Sequence, residues 1–192
     1  MKYVKKLNLW SVFALSIVLL SGMACSSDDP EITNEEEVIT TVNLTFTNNG
    51  QTDEVIMASF SDVDGPGGED PSINGATLNA LASYTLEVAF VNEAVSPSED
   101  ITAEVRAEDL EHQVFYSFGG NIGIIYTYGD QDSQGNPIGL TGTLTTTDAG
   151  NATLTLVLVH KPNKSNSGVA NGNLGNAGGE EDIRIQIPIT VQ

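Results

Sequence analysis

The two histidines of this 192-residue chain, His112 and His160, are the residues best suited to bind a transition metal ion. Each is in phase with alternating apolar residues of a candidate strand, so each is expected at a strand end on the core-facing side. Imidazole nitrogens and carboxylate oxygens are ligands of Zn²⁺ and similar ions, and Glu111 or Glu108 could supply the carboxylate. Because 48 residues separate the histidines, spacing does not bring them together, and the alternative is two ordinary strand-end histidines.

Two acidic segments that contain glycine, residues 62–70 and 130–136, could bind Ca²⁺. This ion takes six to eight oxygen ligands from a tightly turned backbone, which Asp-x-Asp spacing with glycine can supply. The second segment matches the first half of an EF-hand loop, but Thr141 stands where the closing acid belongs, so a full EF-hand is excluded. The alternative is a pair of hairpin turns. The candidate calcium ligands are Asp62, Asp64, Glu69, Asp70, Asp130, Asp132 and Asn136.

No catalytic motif is recognisable in the sequence. It has no Gly-x-Ser-x-Gly, no His-Glu-x-x-His and no phosphate-binding glycine loop. It also has no free catalytic cysteine, since the single cysteine, Cys25, is the expected site of lipidation. We therefore expect a protein that is not an enzyme and for which Ca²⁺ is the main candidate cofactor.

Cys25 follows a segment with the zones of a secretory signal peptide. Residues 1–24 begin with lysines, continue in an apolar run over residues 7–20 and end in small residues. The apolar run is too short to span a membrane, which needs about 20 such residues. A lone cysteine at this position is typical of a bacterial lipoprotein, which carries its acyl chains, palmitate among them, on that residue. Gly22 replaces the usual lipobox leucine, so the alternative is cleavage elsewhere that leaves Cys25 a free thiol.

The residues after the signal are strongly acidic. All 26 acidic residues but only four of the seven basic ones follow residue 24, which gives that part a net charge of −22. Such a field repels nucleic acids and attracts cations, so nucleic-acid binding is excluded. Residues 25–37 have almost nothing to bury and are expected to form a flexible acidic tether.

Alternating apolar residues dominate from residue 38 onward and predict about eight or nine antiparallel strands, with one buried face each. The predicted fold is all-β, an immunoglobulin-like β-sandwich over residues 38–192. Pro188, inside the last strand, indicates an edge or a bulge. The segment Ser96–Asp100 could cap a helix, but Ile101–Arg106 alternates strictly, so a strand is preferred there. Residues 161–181 are predicted to form a long Asn- and Gly-rich loop.

The chain shows three resemblances to known families. Cys25 with the serines and acids after it resembles the lipoprotein export signal of Bacteroidota, which implies the outer membrane and exposure at the cell surface. Leu81–Val88 resembles the tyrosine-corner strand of immunoglobulin-like and fibronectin type III domains, in which the hydroxyl of Tyr84 would close a loop upstream. Most of the chain is similar to small flavobacterial lipoproteins often named "type 1 periplasmic binding fold superfamily protein". The segments that carry this last resemblance are 34–41, 90–93, 99–105, 111–116 and 176–180.

The name of that group implies a two-lobed α/β fold, which needs helices of about 10 to 15 residues between parallel strands. The sequence predicts no such helices, so we expect the family resemblance without that fold. The expected function is a lipid-anchored binding module for a cation, or for a solute that it delivers to an outer-membrane transporter. The alternative is a structural or adhesive surface lipoprotein without a small-molecule ligand.

Overall fold

The structure, a computed structural model, describes residues 37–51, 54–120 and 122–192. They belong to one compact unit, Glu36–Gln192. The signal peptide, Cys25 and residues 25–36 of the expected tether lie outside the described residues. Within the described ranges, no helix is long and apolar enough to cross a membrane.

Two β-sheets make up this unit. The larger sheet has the order β3-β2-β1-β5-β9-β8, with the short β6 also paired to β5, and the smaller has the order β4-β11-β10-β7. The strands are β1 (Thr41–Asn48), β2 (Val55–Ser61), β3 (Ser72–Asn74), β4 (Ala76–Leu78), β5 (Ser83–Asn92), β6 (Glu99–Asp100), β7 (His112–Gly120), β8 (Ile124–Tyr128), β9 (Thr141–Thr146), β10 (Gly150–His160) and β11 (Glu180–Val191).

The prediction of an all-β sandwich is confirmed. Alternate residues of strands from both sheets point into one apolar core, with Leu44 and Leu86 from the larger sheet and Leu156 and Ile187 from the smaller. The short β3, β4 and β6 add to the eight strands that the sequence places correctly. One pairing differs from the antiparallel prediction, because β4 runs parallel to the end of β11. Over the rest of its length β11 pairs only with β10 among the described strands, so Pro188 lies where its missing N–H is tolerated.

The strand predicted over Ile101–Arg106 is wrong, because Ile101–Ala107 is a short helix, α1. The Asp100 carboxylate accepts a hydrogen bond from the N–H of Ala103 (3.3 Å) and caps its first turn. Ile101 and Val105 are buried in the core, whereas Ala103 is exposed. An i, i+4 pair lies on one face of a helix, so the buried residues follow the helical spacing and not the alternation.

The Asn- and Gly-rich loop is more ordered than the sequence predicts. It contains two short 3₁₀ helices, Val169–Asn171 and Leu174–Asn176. Val169 and Ala177 pack with Phe115, Val157 and Val159 in a second apolar cluster on the outer face of the smaller sheet. The few apolar residues of this segment are therefore enough to fold it onto β7 and β10.

The tyrosine-corner contact lies where the resemblance places it. The hydroxyl of Tyr84 accepts a hydrogen bond from the backbone N–H of Asn79, five residues upstream, at 2.7 Å. Tyr84 is fully buried. Its hydroxyl therefore fixes the turn that connects β4 to β5.

Candidate metal centre

The pairing of β7 with β10 brings the two histidines together. His112 is the first residue of β7 and His160 the last of β10, and the two are direct partners in the antiparallel register. Their rings stack with centroids 4.8 Å apart and an interplanar angle of 8°. The exposed fraction is 0% for His112 and 3% for His160. Strand pairing thus brings together two histidines that are 48 positions apart in the sequence.

A third side chain, Glu37, completes a metal-binding trio. One ligand atom each from Glu37, His112 and His160 lies within 4.8 Å of the others, and no other such trio occurs among the residues that the structure describes. Oε1 of Glu37 is 3.0 Å from Nε2 of His112, and the Glu37 side chain is only 9% exposed. Glu37, the last residue of the tether predicted over residues 25–37, therefore contacts the histidines of the domain.

A fourth side chain, Asp182, reaches the same nitrogen from β11. Its Oδ2 is 3.8 Å from Nε2 of His112, and the side chain has no exposed surface. The pairing of β10 with β11 shifts register between Leu158 and Val159, so that the partners skip from Ile183 to Glu181. Asp182 is the extra residue of this β-bulge. Bulges re-aim side chains, and this one turns Asp182 toward the histidines.

The hydrogen bonding of His112 indicates which of its nitrogens could bind a cation. Nδ1 lies 3.3 Å from the carbonyl oxygen of Glu108. A carbonyl only accepts, so Nδ1 carries the hydrogen of the neutral ring. Nε2 then faces the Glu37 and Asp182 carboxylates, an arrangement that either a second proton on the ring or a bound metal ion makes favourable. Histidine ligands of metals typically donate their other N–H in this way.

The buried polar atoms of the cluster support the same interpretation. Within the described part of the chain, Nε2 of His112 and Oε2 of Glu37 are buried and have no hydrogen-bond partner. Buried polar groups are nearly always hydrogen-bonded, and those that are not need an explanation such as an ion. Glu37 thus lies at ion-pair distance from His112. The two groups are nevertheless not oriented for a hydrogen bond.

The predicted ligand Glu111 lies at the rim of the cluster. Its Oε2 is 3.5 Å from Nε2 of His160 but also 3.6 Å from the ammonium nitrogen of Lys161. The Glu111 side chain is 46% exposed. Glu108, the other candidate, has an oxygen 3.9 Å from Nδ1 of His112, the nitrogen that carries hydrogen. Both predicted carboxylates are thus close to a histidine, but neither approaches Nε2 of His112 as Glu37 and Asp182 do.

One glycine lets β11 pass close to this cluster. Gly179 has a positive φ of 77°, and a Cβ at this position would lie 2.3 Å from the carbonyl oxygen of His160. Only glycine adopts this conformation without strain and leaves space for the neighbouring backbone. Gly179 therefore allows the chain to enter β11 beside His160 and to place Asp182 three residues later.

The first predicted calcium segment is an exposed turn. Oδ2 of Asp64 accepts a hydrogen bond from the N–H of Glu69 at 2.8 Å. Glu69 and Asp70 are exposed, and Asp62 is half-buried. The contact of Asp64 supports the turn alternative, and a calcium ion at this segment remains a prediction.

In the second calcium segment, protein donors already occupy the carboxylates. The oxygens of Asp130 accept from the N–H groups of Gly139, Leu140 and Thr141 at 2.7, 2.8 and 3.1 Å. Oδ1 of Asp132 accepts from the N–H of Asn136 at 2.8 Å. These bonds hold the loop as a turn, which again supports the alternative, so calcium binding there remains a prediction.

A buried ammonium group stands beside Asp132. Nζ of Lys164 lies 3.0 Å from Oδ2 of Asp132 and 2.7 Å from the carbonyl oxygen of Asp109. Burial alone would raise the pKa of Asp132, but the hydrogen bonds from Lys164 and from the backbone of Asn136 and Gln134 hold it below its ordinary value. Lys164 thus fastens the Asn- and Gly-rich segment to the loop before β9 and to the loop after α1.

A cleft of about 360 Å³ lies between β7 and β8, the strands at the edges of the two sheets. It is lined by Tyr116, Tyr126 and Tyr128, whose rings are in contact: the centroids of Tyr116 and Tyr126 are 4.2 Å apart, and those of Tyr126 and Tyr128 5.2 Å. Burial, followed by the charge of Asp130, raises the pKa of Tyr128 to about 12, although a hydrogen bond with Gln113 opposes this. Burial also raises the pKa of Tyr126 and Tyr116.

We expect these tyrosines to make the domain sensitive to alkali. An acid whose folded pKa lies above its unfolded value stabilises the fold below the unfolded pKa, and this stabilisation is lost as pH rises through the folded value. The free energy of unfolding should therefore fall once pH exceeds about 10, the ordinary tyrosine value. Denaturant unfolding at stepped pH measures it. Tyr126→Phe should reduce the slope above pH 10, and an equal slope in this variant would contradict the assignment.

Comparison of the chain with protein-family models, with curated proteins and with solved structures gave no match. The inference of function therefore depends on the geometry of the histidine cluster.

Proposed function

We propose that this protein is a non-enzymatic, lipid-anchored protein of the outer membrane whose domain binds a divalent transition metal ion. The main support is the convergence of Glu37 with the two histidines, at which Nε2 of the fully buried His112 faces carboxylates and makes no hydrogen bond within the described residues. The net charge of the chain, −19, also favours cation capture.

The donor atoms favour Zn²⁺ as the ion. Imidazole suits Zn²⁺ and its transition-metal neighbours, whereas Ca²⁺ and Mg²⁺ prefer sites made of oxygen alone. Zn²⁺ sites in proteins are mostly tetrahedral, with bonds of about 2.0 to 2.2 Å to nitrogen and oxygen. Sulfur-preferring ions such as Cu(I) fit less well, because no cysteine or methionine belongs to the trio.

The burial of the cluster supports binding rather than catalysis. A catalytic zinc keeps one coordination position open to water and substrate. Here the side chains of both histidines and of Asp182 have almost no exposed surface, which leaves little room for a substrate beside the ion. The role that fits is retention of the ion, either to stabilise the domain or to hand it to an outer-membrane transporter.

The expected anchor would hold this site close to the membrane. Twelve residues separate Cys25 from Glu37, and an extended chain of that length reaches roughly 40 Å. We also propose that the sandwich is of the immunoglobulin-like type, which the hydrogen bond from Asn79 to the Tyr84 hydroxyl supports. The rival function, an adhesive or structural lipoprotein without a ligand, requires the histidine cluster to bind no ion.

Zn²⁺ is expected to raise the melting temperature of the full chain by about 5 to 10 °C. Free ion at a hundredfold excess over Kd adds about 2.7 kcal/mol to the free energy of unfolding, and each kcal/mol shifts a domain of this size by about 2 to 4 °C. The protein should be purified in detergent without a polyhistidine tag and stripped with chelator. Calorimetry measures the shift, and elemental analysis should find about one zinc per chain.

Mg²⁺ at equal ionic strength is the control, since screening of the net negative charge also stabilises the fold. The variant His160→Gln should lose the response to Zn²⁺ and keep the response to Mg²⁺. Equal shifts from the two ions in the wild-type protein would show that the cluster consists of ordinary histidine–carboxylate pairs.

A further inference from the structure

We propose that Asp182 is the fourth ligand of the metal ion and completes a closed, four-coordinate site of two imidazoles and two carboxylates. The inference rests on the proposed function, since it concerns the same ion. It replaces Glu111, the carboxylate that sequence position favours, with a residue that only the β-bulge brings to the site.

The carboxylate of Asp182 is buried beside His112, where a metal ion could reach it. Its side chain has no exposed surface, and its Oδ2 approaches Nε2 of His112. Moving a carboxylate out of water costs several kcal/mol, and an ion bound at His112 would offset part of this cost. Regular alternation would place Asp182 on the face opposite to Ile183 and Ile185, so the bulge is what turns this acid inward.

The distances around Nε2 of His112 fit one small cation. Glu37 Oε1 lies 3.0 Å from this nitrogen and Asp182 Oδ2 lies 3.8 Å from it. In a tetrahedral zinc site with bonds of about 2.0 Å, ligand atoms lie about 3.3 Å apart. Asp182 Oδ2 is about 0.5 Å farther than this from Nε2 of His112 and does not belong to the trio whose atoms lie within 4.8 Å of one another, so its side chain must turn toward the ion on binding.

Glu111 is the less suitable candidate for the fourth position. It is about half exposed and lies 3.6 Å from the ammonium of Lys161, which would compete with the ion for its oxygen. Water also stabilises its charge, so it has no need of a metal. Glu111 is therefore a matched control for Asp182: both are carboxylates within 4 Å of a histidine nitrogen.

An ion bound at this site would also join the two sheets. Glu37 immediately precedes the chain that enters β1 of the larger sheet, whereas His112, His160 and Asp182 lie on β7, β10 and β11 of the smaller one. An ion held by all four would cross-link the sheets at the end where the domain begins. With four protein ligands, no position would remain for water, as in structural zinc sites.

Cobalt spectroscopy on the full chain in detergent tests this assignment. Co²⁺ in a tetrahedral site absorbs visible light strongly, whereas five- and six-coordinate Co²⁺ absorbs weakly. The wild-type protein should show the strong spectrum, and Zn²⁺ should displace the Co²⁺. Asp182→Asn, which keeps the shape of the side chain, should weaken binding of both ions at least about tenfold and bleach the spectrum. Glu111→Gln should leave affinity and spectrum unchanged, and circular dichroism confirms the fold of each variant.

Any other result shows whether the assignment of Asp182 or the proposed metal binding itself is wrong. If Asp182→Asn binds as the wild-type protein does while His160→Gln loses the ion, Asp182 is not a ligand and the proposed function stands. If Glu111→Gln bleaches the spectrum instead, the fourth ligand is Glu111 and the assignment is wrong. If the wild-type protein binds neither Co²⁺ nor Zn²⁺, the proposed function fails and Asp182 serves only the ion pairs of His112.

Discussion

Replacement of Lys164 by methionine is expected to lower the free energy of unfolding by about 3 kcal/mol, which for a chain of this size lowers the melting temperature by about 6 to 12 °C. The ammonium group contacts the buried Asp132 carboxylate at 3.0 Å and the carbonyl oxygen of Asp109 at 2.7 Å. Methionine keeps most of the apolar stem of the side chain and removes both contacts. Asp132 would then remain buried without its counter-ion. Removing one partner of a buried ion pair destabilises the fold strongly.

Lys161→Met is the matched control, because Lys161 is 55% exposed and pairs with the half-exposed Glu111. Exposed pairs contribute about 0 to 1 kcal/mol, so this variant should melt close to the wild-type protein. The double variant Lys164→Met/Asp132→Asn should recover most of the loss, since no buried charge remains. Thermal unfolding of the four proteins measures these effects, and equal losses from the two lysine variants would contradict the assigned role.

The same pair predicts an acid limit to its stabilisation. The folded pKa of Asp132 is lowered by Lys164 and by backbone donors, against the opposing effect of burial. A group with a depressed folded pKa stabilises the fold above its unfolded pKa, and the stabilisation is lost as pH falls through the folded value. The difference between wild type and Lys164→Met should therefore persist near neutral pH and shrink below the ordinary Asp value of 3.8.

The sequence predicts the sandwich because each strand buries one face. Its apolar residues therefore alternate with polar ones, and this pattern is visible without knowing which strands pair. Leu154, Leu156 and Leu158 show it in β10, and Ile185, Ile187 and Ile189 in β11. The same signal fails at Ile101, Ala103 and Val105, since three residues satisfy both alternation and a helical i, i+4 pair. Asp100 decides between the two, because its carboxylate caps the first turn of α1.

Only part of the candidate site is predictable, because local patterns do not show which strands pair. His112 and His160 can be placed at strand ends from their phase, but their contact depends on the pairing of β7 with β10, which no local pattern encodes. Asp182 is harder still to predict. Alternation from Ile183 places it on the outer face of the sheet, and only the β-bulge turns it inward. Glu37 follows other acids and precedes the first strand, so nothing in the sequence distinguishes it from the tether.

Replacement of Cys25 by serine is expected to abolish labelling with palmitate and to remove the protein from the outer-membrane fraction of the native host. Each buried CH₂ of an acyl chain contributes about 0.8 kcal/mol to membrane affinity, and several chains on one cysteine give a stable anchor. The acidic segment after Cys25 offers no second attachment, because its charge is repelled by anionic lipid headgroups. Loss of this one sulfur should therefore abolish membrane attachment completely.

Ser27→Ala is the matched control, since it alters a neighbouring small residue and keeps the sulfur. It should label and fractionate as the wild-type protein does. Detergent-phase partitioning of the three proteins, with labelled palmitate, provides the measurement. The histidine cluster lies at least twelve residues away in sequence, so the Cys25→Ser protein should still bind Zn²⁺. A variant that stays in the detergent phase and still carries palmitate would disprove the anchor and leave the metal site to be judged by itself.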